Sequence, residues 1–440
     1  MWKKRDCRNG TRDAFKTVHF VSRLFGLAPY SFVTNPQKKE ETIDISWKTN
    51  LKSVIWSLIM LTVQLIGLIY AISSNFIHNA DSLSELVART LQFPLINSTG
   101  LFALALSVSI RPKKMLKIVE TLWKMEKYHS KINNVYYKKH NVRFTILATI
   151  SIIYHITVHS VNSYFYPRGH INFYYGVSII LCDLIWFVNN LQYVNTVEVL
   201  TQNLILMNKN LHNVFVSPSR SSHLSRRSRL YSRKKVFCLS MVTEELYNRD
   251  HSAILNSQKP VGFRKNISSI TSTAIAQIME LRVCFNNLYQ VCRVINSMYG
   301  LSLLMDFMAY TVCLIGDVYV IWCILITPYK GHKLISVTRA TTALLWVIAS
   351  SSNVFSIAFA SFRANNEFKK TLREVQKLIL RTRLKSDVQE QLNLFSIQLV
   401  NNKIEFTACG FFDVNFKLLR TLVYVVTTYI ILLVQVTKFN

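Results

Sequence analysis

The sequence has little glycine, proline or acidic side chain, and each shortage argues against a class of protein. Glycine accounts for 11 of 440 residues and proline for 8, and no glycine-rich phosphate loop or nucleophile motif is present. The eight cysteines form no C-x-x-C pair, so we expect free thiols and no metal centre. These shortages predict a protein that is not an enzyme and that carries no cofactor.

Acidic residues are outnumbered, with 23 Asp and Glu against 52 Lys and Arg and a formal charge of +29. In a soluble protein such an excess would suggest nucleic acid as a partner. Half of the residues are hydrophobic, however, the mean hydropathy is +0.22, and several apolar runs approach twenty residues. The basic residues lie between these runs, so we interpret them as topology signals of a multi-pass membrane protein and predict no nucleic-acid partner.

Seven apolar runs predict transmembrane helices, at residues 53–73, 89–110, 144–165, 171–194, 296–326, 339–362 and 418–436. Pro94 predicts a kink near the start of the second helix. The fourth run has no clear end and is expected to continue past Leu206. Between the runs we predict a basic loop at 111–143 and a tight turn at Pro167-Arg168-Gly169.

The same pattern divides the chain into six parts. These are an N-terminal segment (1–52), spans one to four (53–196), a helical extension with a basic flexible segment (197–295), spans five and six (296–362), a helical anchor (363–415) and a last span (416–440). Lys and Arg concentrate in the first, third and fifth parts and in the loop at 111–143, which assigns all of these to the cytoplasm. The N-terminus is therefore predicted inside and the C-terminus outside.

The last apolar run carries one polar side chain that needs explanation, Gln435. A primary amide in hydrocarbon is costly unless it meets water or a partner helix. Two interpretations remain open from the residues alone: Gln435 faces a water-filled path at a helix assembly axis, or it lies in the headgroup region where the helix leaves the membrane.

The C-terminal residues resemble the signature of insect gustatory receptors. The segment Phe406-Thr407-Ala408-Cys409-Gly410-Phe411-Phe412-Asp413-Val414-Asn415 is followed by Thr428-Tyr429, five apolar residues and Gln435. In that family the last helix carries Thr-Tyr, five apolar residues and then Gln-Phe, and Val436 stands here in place of the Phe. The N-terminal Leu27-Ala28-Pro29-Tyr30 resembles receptors related to the fructose sensor, and lepidopteran-type bitter receptors share the other features.

The resemblance implies an all-α membrane protein with seven transmembrane helices that assembles as a tetrameric channel. It places Gln435 and Val436 at the narrow part of a pore on the tetramer axis. Four valines form a smaller constriction than four phenylalanines, but a hydrophobic ring still gates by dewetting. Thr428 and Tyr429 are expected to pack this helix against its neighbours.

Two histidines and three acidic residues are candidates for an intramembrane site. His155 and His159 lie one turn apart and share a helix face; helix packing, ligand binding and a metal site are all open, although a third metal ligand is not evident. Asp183 and Asp317 are intramembrane carboxylates, which are expensive and face the bundle interior or water. Asp317 is expected nearer the outer surface, and Asp183 to pair with a histidine or an amide. Asp306 is expected deeper, as a structural residue or near an ion path.

Aromatic side chains supply the remaining ligand candidates. Rings stack on sugars and on cations, although interfacial aromatic residues are also common in membrane helices. Ser350 begins a polar run, Ser350-Ser351-Ser352-Asn353, which indicates either a hydrated cavity or close helix packing. The ring candidates are Trp186, Tyr319, Trp322 and Trp346.

The sequence therefore predicts a gustatory receptor in the plasma membrane of gustatory neurons. It would be a non-selective cation channel that a plant bitter compound or a sugar such as fructose opens from outside. Its expected partners are the tastant, membrane lipid, and either copies of itself or other gustatory receptors. The alternatives are an odorant-receptor-like subunit that needs a co-receptor, and a transporter, for which no internal repeat is found.

Overall fold

The computed structural model describes residues 10–30, 33–34, 43–44, 51–77, 91–126, 133–165, 173–216, 262–326, 333–381 and 386–439. Within these ranges the protein is almost entirely helical. The ten α-helices are α1 (Gly10–Leu24), α2 (Leu51–Ile77), α3 (Phe93–Ser109), α4 (Arg111–Glu126), α5 (Asn133–Phe165), α6 (Phe173–Val216), α7 (Gly262–Ile326), α8 (Lys333–Arg381), α9 (Ser386–Asn401) and α10 (Phe416–Phe439). Two antiparallel pairs of two-residue strands complete it, β1 (Val33–Thr34) with β2 (Ile43–Asp44), and β3 (Thr407–Ala408) with β4 (Phe412–Asp413).

Six of the described helices are long and apolar enough to cross a membrane. A seventh span results if the bent pair Pro94–Ser109 and Arg111–Met125 is counted as one. The all-α membrane fold predicted from the sequence is therefore confirmed. The fourth run continues as predicted, because α6 extends to Val216.

The second span bends at a position that the sequence did not predict. Pro94 lies in the first turn of α3, where a proline costs little because its missing N–H would have no helical partner. The chain bends by 65° between α3 and α4, after Ile110. The residues that precede Leu91 lie outside the described ranges, so the kink at Pro94 stays a prediction.

The predicted basic loop at 111–143 was wrong, because most of it is helical. α4 covers Arg111–Glu126, and α5 begins at Asn133, eleven residues before the predicted third span. Five buried apolar side chains of α4 recur at helical spacing and form an apolar stripe between the lysines. They are Met115, Ile118, Val119, Leu122 and Met125.

The chain forms two compact units. The first contains Met1–Val199, Val291–Phe362 and Glu405–Asn440, and the second contains Leu200–Gln290 and Arg363–Ile404. One apolar cluster of the first unit brings α1, α2, α3, α5 and α6 together. Its buried members are Val18, Phe25, Leu27, Met60, Ala103, Leu104, Phe144, Ala148, Leu184, Ile185, Phe187, Val188 and Leu191.

The amphipathic stretch predicted near Phe15 is the helix α1, which packs on α5. Phe15 and Val18 are buried, and the backbone N–H of Thr17 donates to Oδ1 of Asn141 at 3.2 Å. The helix ends at Leu24, and Gly26 follows it with a φ of 74°, which suits a left-handed helix terminus. The side chains of Ser57 and Ser107 both donate to the Gly26 carbonyl, which fixes the end of α1 against α2 and α3.

The second unit is built from the end of α6, the beginning of α7, the end of α8 and the whole of α9. Phe285 stacks on Phe368 and meets Phe395 edge-on, with ring centroids 5.8 and 6.1 Å apart. Arg282 donates to the side chains of Gln391 and Gln398 at 2.7 and 3.3 Å. A polar helix with apolar residues at helical spacing, as predicted after residue 363, accounts for this packing.

Three sequence predictions fall outside the described residues. They are the turn at Pro167-Arg168-Gly169, most of the basic segment at 216–266, and the beginning of the loop at 327–337. Six of the eight cysteines are described, and all six are free thiols, namely Cys182, Cys284, Cys292, Cys313, Cys323 and Cys409.

Candidate ligand site and terminal helix

A buried imidazole and carboxylate form the centre of the candidate site. Nε2 of His159 on α5 lies 2.6 Å from Oδ2 of Asp183 on α6, and both side chains are more than nine-tenths buried. The carboxylate accepts the imidazole N–H, so the pairing that the sequence suggested for Asp183 is present. Two apolar helices bring these groups together because each carries its polar side chain on the face that avoids lipid.

The indole ring of Trp346 packs against the histidine of this pair. The Trp346 ring on α8 lies 4.9 Å from the His159 ring and 5.6 Å from the His155 ring, between centroids. His155 is 5% exposed, and its Nδ1 has no hydrogen-bond partner within the described residues. We call His155, His159, Asp183 and Trp346 the imidazole cluster. Three transmembrane helices contribute to it, and the sequence named all four residues.

Asp317 lies on α7 and is partly buried. Its carboxylate hydrogen-bonds the side chain of Gln92, and it interacts electrostatically with Asp183. The Gln92 amide also donates to the carbonyl of Cys313 at 3.2 Å. Gly316 leaves room for the Gln92 side chain, because a Cβ at this position would overlap the Gln92 amide.

A second polar network, which the sequence did not predict as a unit, lies between α4, α6 and α7. Nη1 of Arg111 donates to Oδ1 of Asn189 at 2.6 Å, and Nδ2 of Asn189 is 3.2 Å from Oδ2 of Asp306. Nε1 of Trp186 donates to Oδ1 of Asp306 at 2.8 Å. We call Arg111, Asn189, Asp306 and Trp186 the Arg111 network. The structural role that the sequence allowed for Asp306 fits this arrangement.

Trp186 therefore belongs to the Arg111 network and not to the imidazole cluster. Its ring stacks on Tyr310 at 4.2 Å between centroids. The Tyr310 hydroxyl accepts a hydrogen bond of 2.6 Å from Asn190 and also hydrogen-bonds Asn353. Asn353 is the last residue of the polar run Ser350-Ser351-Ser352-Asn353, so this run contributes a hydrogen bond to the buried Tyr310 side chain.

The other aromatic candidates lie further along α7. Tyr319 is buried and stacks on Trp322, with centroids 6.1 Å apart. Ser350 is buried one turn after Trp346, whereas Ser351 and Ser352 are exposed. In the described part of the chain, no group of three or more His, Cys, Asp or Glu side chains could hold a metal ion.

The last helix, α10, stands apart from the other spans. Nothing in its apolar window, Phe416–Gln435, is buried, whereas at least 28% of the window is buried in each of the other five single-helix spans. Thr428 and Gln435 are exposed, and Tyr429 is 53% exposed. Its N-terminal residue, Phe416, packs against α8, where the Phe362 ring is 4.6 Å away and the rings of Phe355 and Phe359 are about 6 Å away.

The motif before α10 folds as the hairpin β3–β4. Cys409 and Gly410 take φ values of 52° and 79° in its turn, a left-handed pair that a glycine favours. Asn296 on α7 holds it by donating to the Glu405 carbonyl and accepting from the Thr407 N–H. Asn415 then caps α10 through the Lys417 N–H at 2.8 Å.

The model of the family described as 7tm Chemosensory receptor matches residues 15–439 of this sequence. The chain belongs to the 7tm chemosensory receptor family. Family membership confirms the resemblance that the C-terminal motif suggested. Together with its membrane-spanning helices, it identifies this chain as a multi-pass membrane protein.

Curated relatives of this receptor come from Drosophila melanogaster. Putative gustatory receptor 28b is 38% identical over 95 residues, which is 22% of this chain and 19% of that protein. Putative gustatory receptor 2a is 24% identical over 187 residues, which is 38% of this chain and 42% of that protein. Putative gustatory receptor 59f is 22% identical over 177 residues, which is 40% of this chain and 41% of that protein. The chain spans less than half the length of each of these relatives.

Two solved structures share the receptor's fold along nearly the whole chain. They are the insect olfactory receptor OR5 from Machilis hrabei, alone and in complex with eugenol, with TM-scores of 0.59 and 0.57. Each covers 98% of this chain and 100% of the olfactory receptor, at 12% and 11% identity. The similarity shows that the two proteins have a common fold.

The residues that sequence reasoning missed are amides and a guanidinium. Asn189, Asn190 and Asn195 are all buried on α6, in a run that was treated as an ordinary apolar span. With Gln192, four amide side chains lie within these seven residues; this run was the available signal, since buried amides need partners. Arg111 was assigned to a loop, so its burial was not foreseen.

Proposed function

We propose that this protein is a gustatory receptor, a non-selective cation channel of the plasma membrane that a small soluble extracellular compound opens. A plant bitter compound and a sugar such as fructose are the two tastant classes that fit the resemblance. The observation that carries the proposal is the exposure of α10, whose apolar window contains no buried residue in the protomer. A span of this kind that ends in an exposed amide suits a position shared between copies of the chain.

The pore follows from assembling copies around α10. Four protomers would place a ring of Gln435 amides at the axis, where they meet water and each other instead of lipid. Val436 would supply the hydrophobic constriction that closes the pore. Thr428 and Tyr429 would support the helix against neighbouring protomers. Heteromers with other gustatory receptors would use the same surface.

Opening requires a ligand that binds the open arrangement more tightly than the closed one, because equal affinity for both shifts nothing. The imidazole cluster suits such a ligand, since it joins α5, α6 and α8 within a few ångströms. A change in the position of α8 reaches α10 through Phe416, which packs on three phenylalanines of α8. Ligand site and pore are thereby linked through one helix.

The test is expression of the full chain in a cell line, with calcium imaging and whole-cell recording against sugars and plant alkaloids. A compound-dependent inward cation current supports the proposal. Absence of any response from protein that has reached the cell surface, alone or with partner receptors, would contradict it. The shared fold with an insect olfactory receptor favours a second candidate, an odorant-receptor-like subunit, which would give current only together with a co-receptor.

A further inference from the structure

Two exposed cationic side chains lie where α1 ends and α2 begins. Nε of Arg23 donates to the hydroxyl of Ser53 at 3.1 Å, and Lys52 precedes Ser53 in the first turn of α2. Arg23 and Lys52 are both exposed, and no ion pair among the described residues includes either of them. The described chain therefore supplies no carboxylate for two positive charges at this place.

The end of α1 does not need the guanidinium of Arg23. A basic residue in the last turn of a helix often interacts with the free carbonyl groups there. Here the carbonyls of residues 21–24 already accept hydrogen bonds, from the backbone N–H groups of residues 25–27 and from the indole of Trp56. The terminal amino groups of Arg23 are therefore available to an acceptor from outside the chain.

Exposed apolar side chains adjoin the two cations. Trp56 lies one turn after Lys52 on the same face of α2, and its Nε1 donates to the carbonyl of Leu24 at 2.9 Å. Leu24, Ile55 and Trp56 are all exposed. We call Arg23, Leu24, Lys52, Ile55 and Trp56 the α1–α2 corner. It combines positive charge at the start of the first span with an apolar surface that continues into that span.

This combination matches the cytoplasmic boundary of a membrane. The sequence predicts segment 1–52 in the cytoplasm, so the first span begins there at the cytoplasmic leaflet. Tryptophan is typical of the membrane–water interface, and the anionic phospholipids of this leaflet attract basic side chains. Arginine suits a phosphate group because its N–H groups bind two oxygens at once. An acidic soluble peptide would match the charges but would leave the apolar side chains of the span uncovered.

We propose that the α1–α2 corner binds an anionic phospholipid of the cytoplasmic leaflet. Arg23 and Lys52 bind the phosphate and the charged headgroup, and an acyl chain lies along Ile55 and Trp56. The lipid attaches the end of α1 to the first span at the membrane surface. The site involves neither the imidazole cluster nor α10.

Fluorescence quenching by brominated lipids tests this proposal. The purified full-length protein is placed in phosphatidylcholine nanodiscs that contain an increasing fraction of phosphatidylserine with brominated acyl chains, or of phosphatidylcholine with the same brominated chains. The difference between the unsubstituted protein and Trp56→Phe isolates the emission of Trp56. We expect brominated phosphatidylserine to quench half of this emission at a fraction at least about fivefold lower than brominated phosphatidylcholine, because two basic residues strengthen the attraction.

Matched charge changes locate the effect. Arg23→Gln combined with Lys52→Gln is expected to make the two brominated lipids quench alike. Lys52→Gln alone removes no hydrogen bond of the described residues, so the fold is retained, and it should reduce the preference by about half or more. Lys113→Gln combined with Lys117→Gln removes two exposed charges from α4 and should leave the preference unchanged.

The α4 control is needed because the whole protein carries a formal charge of +29, which attracts anionic lipid everywhere on its cytoplasmic side. Equal quenching by the two lipids in the unsubstituted protein would overturn the proposal. A preference that survives in the Arg23 and Lys52 double variant, or one that falls equally in the α4 control, would also overturn it, because the preference would then arise from the total charge.

Discussion

The pairing of His159 with Asp183 is the residue-scale feature on which the ligand site depends. Both side chains are more than nine-tenths buried and 2.6 Å apart. Removing one member leaves the other buried without its partner, which costs more than removing both. The pair should therefore show strong coupling in stability as well as in ligand response.

We expect His159→Leu and Asp183→Leu each to destabilise the folded protein by about 3 kcal/mol, the usual size for breaking a buried pair. The double variant should lose clearly less than the sum of the two. Thermal unfolding of the detergent-solubilised protein measures all three, with the exposed Ser160→Ala on α5 as the control. Strict additivity would show that the two side chains do not interact.

Sequence reasoning reached the imidazole cluster because rare polar residues in apolar runs are conspicuous. His155, His159 and Asp183 stand out against their neighbours, and Trp346 precedes a polar run. The same reasoning missed Arg111, because a basic residue just after an apolar run looks like a loop charge. Its burial depends on the bend between α3 and α4, and no local pattern indicates which way the chain turns there.

At the scale of the helices, the bend after Ile110 coincides with Pro112 in the first turn of α4, where a proline cannot continue the hydrogen bonds of α3. Contacts of α4 stabilise the bend. The Arg111 guanidinium binds Asn189 and lies 5.0 Å from the centroid of the Tyr299 ring. Lys114 donates to the carbonyl and hydroxyl of Ser297 at 2.7 and 2.6 Å. The first turn of α4 thus attaches the second span to α6 and α7.

Arg111→Met should therefore destabilise the protein by about 3 kcal/mol or more, because it leaves Asp306 in the interior without its nearest positive charge. Lys113→Met is the control, since Lys113 is exposed on the same turn. The measurement is the thermal unfolding midpoint together with surface expression. If the two methionine variants behave alike, the network does not support the bend.

The contact between α8 and α10 is the second feature at this scale. Phe416 packs on the rings of Phe355, Phe359 and Phe362, while the rest of the α10 window is unburied. A movement of α8 can therefore reach α10 through this contact.

Phe416→Ala should accordingly weaken ligand-gated current strongly while ligand binding changes by less than about threefold, because the site on α5, α6 and α8 is untouched. Concentration–response recordings and calorimetry on the same variant measure the two quantities. Phe20→Ala, at a 68% exposed position on α1, serves as the control. Normal gating in Phe416→Ala would show that α8 does not act on α10 through this residue.

At the scale of the whole molecule, orientation decides what the receptor can sense. The sequence places most Lys and Arg residues in segments assigned to the cytoplasm, which predicts the N-terminus inside and the C-terminus outside. Six spans plus one bent pair give the odd number that this orientation needs. Composition predicted the number of spans well because each span must satisfy its backbone internally.

An epitope tag after Asn440 should bind antibody on intact cells, and a tag before Met1 should bind only after permeabilisation. Immunofluorescence of the two tagged proteins in parallel provides the measurement, and each serves as the control for the other. The reverse pattern would place the ligand site and the pore entrance on the wrong sides of the membrane.

The central claim is that Gln435 lines a water-filled pore that several copies of the chain share. Gln435→Cys, recorded under ligand-evoked current while a charged, membrane-impermeant thiol reagent is applied from outside, tests it most directly. We predict a large and lasting loss of current in the variant and little change in the unsubstituted receptor. A current that the reagent leaves unchanged in Gln435→Cys would contradict the account.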